Sequence, residues 1–257
     1  MTSGLEAALV LAGAFAAGAV NSTVGGGGLI QLPALMAAYP QASPATLLGT
    51  NKLASLVGTA SAVLRYSRHL DIPWRVVLPA SAVAFLASLG GAATVSLLPP
   101  ELFRPLVPVL LAVLLAYVAW HRDLGATHAP RPIHAVTVAL GTVLFAALGF
   151  FDGFFGPGVG SFLLLVFVRL YGYDYLHAAA SARVINLSSN TAAVLYFGTF
   201  GHVSWALGAA MAVSNVLGAQ AGTALALRHG SRLIRSAFIL VVCILIIKTG
   251  RDAWLGG

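Results

Sequence analysis

The chain is short of charge. Only 8% of its 257 residues are Asp, Glu, Lys or Arg, where a soluble globular protein carries roughly 25%. It also lacks any polar stretch long enough to fold an extramembrane domain, the longest polar connection, about 120–134, being linker-sized. A single cysteine, Cys243, lies in an apolar run, which excludes an intrachain disulfide and reads as a small core residue. Acids are scarcer than bases, seven against fourteen, for a formal net charge of +7. In a soluble protein that excess would point to nucleic acid. Here the basic residues fall mostly in short connections, where they orient a membrane chain by the positive-inside rule, and nucleic-acid binding is excluded. What the chain has in abundance is apolar: 59% hydrophobic residues and a mean hydropathy of +0.91. The fold class is all-α integral membrane.

A spanning helix needs about 20 apolar residues. Suitable stretches run over 5–24, 43–64, 76–98 and 102–120, then 134–155, 174–197, 204–227 and 234–249. The first resembles a signal-peptide core, but no Lys or Arg precedes it, so it is expected to be retained as structure. Two shorter apolar pieces, 28–39 and 159–170, are under about 20 Å long as helices. They suit half-helices or re-entrant segments. Glycine marks the break before each, Gly25-Gly26-Gly27-Gly28 in one case and Gly156-Pro157-Gly158-Val159-Gly160 in the other. Backbone freed at such breaks is costly in lipid and must be buried in protein or face a polar cavity. A glycine-rich packing surface between helices is the structural alternative.

These features repeat. An offset of 131 positions aligns Lys52 with Arg183, Gly25 with Gly156, Gly27 with Gly158, Trp74 with Trp205, Gly91 with Gly222 and Arg104 with Arg235. Two homologous membrane repeats, 1–124 and 125–257, are expected, each with about four spanning helices and one glycine-broken half-helix. Charge tells how they relate. An odd number of crossings per half puts Arg65, Arg68, Arg75, Arg122, Arg131, Arg169, Arg228, Arg232 and Arg235 on one side, and Arg104, Lys248 and Arg251 on the other. Nine against three fits the positive-inside rule better than the seven against five of an even number. An inverted repeat is therefore expected, with both termini outside the cytoplasm.

Lys52 and Arg183 lie deep in their apolar stretches. A charge near the bilayer centre costs at least about 2.5–3.5 kcal/mol, so such residues face the protein interior and find partners. Of the seven acids only Asp152 is plausibly deep. Glu6, Asp71, Glu101, Asp123 and Asp252 read as terminal or loop residues, and Asp174 as a helix cap. Two cations with at most one acid leave positive charge inside, which a bound anion would neutralise. Thr50, Asn51 and Ser55 around Lys52, and Ser181, Asn186, Ser188, Ser189 and Asn190 after Arg183, offer hydrogen bonds to an oxyanion. Freed amides at Gly25, Gly26, Gly27, Gly28, Gly156, Gly158 and Ser161, around the break that Pro157 helps to make, would add partial positive charge. The alternative for each Ser or Thr is a bond to its own helix backbone. Asp152 and its counterpart Asn21 are candidates for proton or cation coupling; Asp152 equally suits pairing with Arg183. His177 and His202, near helix ends, read as structural. No nucleophile–base set, metal cluster or nucleotide phosphate loop is legible. No catalytic residue, metal ligand or cofactor is expected.

The run Asn21-Ser-Thr-Val-Gly-Gly-Gly-Gly-Leu followed by Leu48-Gly-Thr-Asn-Lys-Leu-Ala-Ser resembles the first-half signature of the TauE/SafE family. Phe150-Phe-Asp-Gly-Phe-Phe-Gly-Pro-Gly-Val-Gly-Ser-Phe and Ala180-Ser-Ala-Arg-Val-Ile-Asn-Leu-Ser-Ser-Asn resemble its second half, with Arg183 where many members carry Lys. That resemblance implies a bacterial inner-membrane permease, multi-pass, for sulfite, sulfonates such as sulfoacetate, or other small anions. The expected function is secondary transport, as an exporter working by alternating access, coupled to protons or Na+. An anion channel or a carrier of a small carboxylate are the alternatives, and a membrane-embedded enzyme a more distant one. The expected partners are the small anion and the bilayer, and a homodimer is compatible with the sequence.

Overall fold

The computed structural model describes residues 4–97 and 128–255, with side chains as far as residue 230. These residues form eight helices and no strand: α1 (Gly4–Thr23), α2 (Gly28–Ala38), α3 (Pro44–Ser67), α4 (Trp74–Ser96), α5 (Ala135–Phe154), α6 (Val159–Tyr171), α7 (Tyr175–Thr199) and α8 (Trp205–Leu255). The backbone of α8 breaks at Gly230, φ 64°. The expected span 102–120 lies outside the described residues. The starts of α5, α6, α7 and α8 each follow those of α1, α2, α3 and α4 by the 131 positions read from the sequence. Local signals repeat with them. Ser43 caps α3 by accepting the Thr46 amide at 3.2 Å, and its counterpart Asp174 caps α7 by accepting the His177 amide at 2.8 Å. Such a cap is worth about 1 kcal/mol.

Among the described residues five helical segments are long and apolar enough to cross a membrane, within α1, α3, α4, α5 and α8. The 25-residue α7 is not one of them. It carries Arg183, Asn186, Ser189 and Asn190, and buries all four. The short helices α2 and α6 fold back along α1 and α5 as hairpins: Ala34 packs on Gly13, and Tyr171 on Gly141.

Glycine sets how the helices run. Gly218 sits on Phe15 and Gly222 on Ala19 so closely that a Cβ would strike backbone, and the Ser214 hydroxyl donates to the Leu11 carbonyl. The constant spacing means that α1 and α8 run side by side in the same direction. In the same way Gly149 seats on Ala84 and Gly153 on Ser88, so α4 and α5 run together. Contacts of Leu53 with Gly208 and Gly58 with Asn215 align α3 with α8. Each half thus lends its fourth helix to the other half's first. Small-residue contacts of this kind let backbones approach in lipid, where no hydrophobic force drives helices together.

Candidate functional site

The two glycine tips meet inside the bundle. Gly25 and Gly156, at equivalent positions, both adopt left-handed backbone, φ 94° and 90°, as does Gly158 at 87°. A side chain is strained there. It would also have nowhere to go. A Cβ on Gly25 would stand 2.6 Å from Arg183 Nη2, and one on Gly156 would stand 2.6 Å from Lys52 Nζ. Each tip is therefore pressed against the cation of one half, and the arrangement repeats.

The cations reach crosswise. Lys52 on α3 extends to the end of α5, where its Nζ lies 2.5 Å from Asp152 Oδ1, with both side chains almost fully buried at 2% and 1% exposure. The other carboxylate oxygen accepts from Asn186 Nδ2 at 2.9 Å and from the Ser189 hydroxyl. Arg183 on α7, fully buried, extends to the end of α1. Its Nη1 donates to the backbone carbonyl of Asn21 and to Asn21 Oδ1 at 3.2 Å, while Nη2 donates to the Gly160 carbonyl at 3.0 Å. Asn21 is the counterpart of Asp152. One cation thus finds a carboxylate and the other an amide. Pairing of Asp152 with Arg183, one of two roles open to that acid from sequence, is not what forms; Lys52 takes the carboxylate, because each cation crosses to the opposite half.

The charge balance follows. Among the described residues the buried charged side chains are Lys52, Asp152 and Arg183. Lys52 and Asp152 cancel. Arg183 has only neutral acceptors, and its Nε has no hydrogen-bond partner.

A polar cavity of about 20 Å3 lies between the tips, room for one water-sized body. Asn21, Gly25, Gly28, Asn51, Lys52 and Ser55 line it from the first half, and Asp152, Gly156, Gly158, Asn186 and Asn190 from the second. Asn51 Oδ1 is buried there without a partner. Other residues expected at the site hold it together from outside the cavity. The Ser161 hydroxyl donates to the Val24 carbonyl at 3.0 Å, tying one tip to the other, and Pro157 packs on Gly28. The Gly26 carbonyl accepts the Leu29 amide, and Gly27 fits against Ala17 and Asn21. Thr50 faces elsewhere: its hydroxyl donates to the Thr46 carbonyl at 2.7 Å and accepts the Ser204 amide at 3.0 Å.

Sequence reasoning missed Thr59, which accepts from Asn21 Nδ2 at 3.1 Å. It also missed the roles of two residues it had named: the Gly160 carbonyl holds Arg183, and Ser189, expected to meet an oxyanion, holds Asp152. Thr59 had a signal, since the 131 offset pairs it with Asn190. A second buried network was also missed: Asn215 Nδ2 donates to Gln31 Oε1 at 2.8 Å, and Gln31 Nε2 to the Asn51 carbonyl at 3.4 Å. Its signal was an amide side chain in each of two apolar helices.

Because the tips have no spare room, Gly25→Ala and Gly156→Ala are expected to cost more than backbone strain alone, itself about 1–3 kcal/mol. Gly201 is also left-handed but has open space around it. Thermal unfolding should therefore rank Gly201→Ala as clearly milder than either tip variant. Equal losses would show that the tips are not close-packed.

Comparison with known proteins agrees with a transport role. The chain matches the family described as sulfite exporter TauE/SafE over residues 10–249. It is 34% identical over 256 residues to the probable membrane transporter protein ORF9 of Sinorhizobium sp, covering 97% of this chain and 96% of that one. It is 36% identical over 250 residues to the probable membrane transporter protein YfcA of Escherichia coli K12, covering 95% and 91%. It is 33% identical over 239 residues to a probable membrane transporter protein of Haemophilus influenzae, covering 93% and 92%. No solved structure matches.

Proposed function

Since the chain belongs to the TauE/SafE family, whose relatives here are named as membrane transporters, we propose that it is a secondary carrier of small sulfur-containing oxyanions such as sulfite or sulfoacetate. In this reading it exports them across the bacterial inner membrane. The observation that carries the anion is the crosswise pairing: among the described residues two buried cations face one buried acid, Lys52 takes it, and Arg183 lies between the tips with no counter-charge. An oxyanion would supply that charge. Asn51, Ser55, Asn186 and Asn190 line the adjoining cavity as hydrogen-bonding partners; Arg183 stands behind Gly25 and Gly160, which border it, and would reach the anion as the tips part. Arg presents a planar fork suited to a sulfonate or sulfite, which a Lys would not.

We read the halves as an inverted repeat. Two facts support this. In the first half α3 runs with α8, while in the second its counterpart α7 follows α4, donating the Ser188 hydroxyl to Ser81 and accepting from Ser88. The arginines gather accordingly. Arg65 and Arg68 at the end of α3, Arg75 at the start of α4, Arg131 and Arg169 beside the start of α7, and Arg228 fall at one end of the bundle, which the positive-inside rule makes cytoplasmic. Alternating access would part the tips from one side and then the other, since a cavity of about 20 Å3 must open to admit a pyramidal or tetrahedral anion. Asp152 is the coupling candidate: a proton or Na+ that takes its carboxylate would release Lys52.

The test is thermal stability of the purified protein against sulfite, thiosulfate, sulfoacetate, taurine, sulfate, acetate and chloride. A ligand at 100 times its Kd stabilises by about 2.7 kcal/mol. Sulfite or a sulfonate should raise the melting temperature, and acetate and chloride should not. A shift with acetate alone would move the substrate to the carboxylates.

A further inference from the structure

We propose that His128, Asp174 and His177 form a binding site for a divalent transition-metal ion of the zinc class, at the point where the linker between the halves meets the start of α7. This does not rest on the anion reading. The three side chains are 46 and 49 positions apart from the linker residue to the helix, and the fold gathers them. One ligand atom from each lies within 4.8 Å of the others.

The spacing fits a metal. With metal–ligand bonds of about 2.0–2.2 Å, tetrahedral ligands stand roughly 3.3 Å apart. His177 Nδ1 lies 3.1 Å from Asp174 Oδ2, and His128 Nδ1 lies 3.8 Å from the same oxygen, one on each side of that value. Small side-chain adjustments would make both edges, with the metal replacing the Asp174 amide that His128 Nδ1 accepts at 3.3 Å. Two imidazoles and one carboxylate suit Zn(II), Ni(II) or Cu(II) and disfavour Mg(II) or Ca(II), which take oxygen. Three protein ligands leave a fourth position for water.

The site is also held in place. Ala129 donates its amide to the Gly172 carbonyl at 3.0 Å and Arg131 to the Tyr171 carbonyl at 2.9 Å, so the linker is laced to the end of α6. The His128 ring rests between those of His177, 4.2 Å away between centres, and Tyr173, at 5.5 Å. A dication beside the start of a helix meets the positive end of its dipole. The Asp174 carboxylate stands at that point, and Asp71 from the α3–α4 connection acts electrostatically on His177. The carboxylate is fixed in place by accepting the His177 amide at 2.8 Å. A bound metal would bolt the linker to α7, the helix that carries Arg183 six residues beyond His177.

The experiment is calorimetric titration of tag-free, full-length protein in detergent with ZnCl2, with MgCl2 as control. Co(II) absorption gives a second readout of tetrahedral coordination. One Zn(II) per chain is expected. His128→Ala changes a linker residue outside the helices, and Asp174→Asn retains a capping side chain, so both should fold. Loss of an outer-shell partner already costs about 10–100-fold in metal affinity, and loss of a direct ligand should cost at least that in either variant. Absence of Zn(II) binding by the wild type overturns the proposal. Binding that His128→Ala leaves unchanged overturns it too, by placing the ion on other histidines.

Discussion

Asp152→Asn is expected to destabilise the protein by about 3–5 kcal/mol, the range found when one partner of a buried ion pair is removed. The substitution hardly changes shape. What it removes is the charge opposite Lys52, whose Nζ lies 2.5 Å from the carboxylate and whose side chain is 2% exposed. The new amide would also turn two donors toward a site where Lys52, Asn186 and Ser189 already donate. The stranded ammonium is left with a cavity of about 20 Å3 in place of bulk solvent. A melting-temperature loss on the order of 10 °C follows for a chain of this size. The double variant Lys52→Gln with Asp152→Asn should recover much of the loss, because the unpaired charge is gone. Strict additivity of the two single effects would mean that the pair is not coupled, and would undo the charge balance on which the site rests.

Asn21→Asp is expected to abolish anion binding while leaving the fold intact. It gives Arg183 the carboxylate that Lys52 already has. The geometry is ready for it: Asn21 Oδ1 lies 3.2 Å from Nη1, and the neighbouring Thr59 hydroxyl is free to donate to an acid in place of accepting. A unit negative charge about 4 Å from a cation contributes about 4 kcal/mol at an effective dielectric of 20. Set against a bound anion, a term of that size corresponds to a loss of roughly 10^2–10^3-fold in affinity. The readout is the sulfite or sulfonate stabilisation of the purified variant, alongside its own melting temperature. A stable variant with no anion response is the expected result. A stable variant that still binds the anion would show that Arg183 is not the charge the ligand depends on.

Much of this was legible from residues alone, and for a reason. Membrane helices must satisfy their backbones locally and hide their charges, so the spans, the glycine breaks and the two deep cations stand out against an apolar background. The eight described helices begin within about two residues of the expected stretches, since helix starts depend on near neighbours such as Ser43 and Asp174. The repeat was legible because its offset of 131 leaves Lys52 over Arg183 and Gly25 over Gly156.

Partnership was not legible. Lys52 and Asp152 are 100 positions apart, and Arg183 and Asn21 are 162 apart. No local pattern says that each cation crosses to the opposite half. Gly160 holds Arg183 by a carbonyl that every residue type possesses. The linker histidine meets Asp174 only because backbone bonds at Ala129 and Arg131 lay it along α6. By itself the sequence determined a helical membrane protein with two buried cations and too few acids, because composition and local helix chemistry depend on residue type and near neighbours. Only the tertiary structure decided that, among the described residues, Lys52 meets a carboxylate and Arg183 only neutral acceptors, because electrostatic pairing depends on which side chains long-range packing brings within a few ångströms.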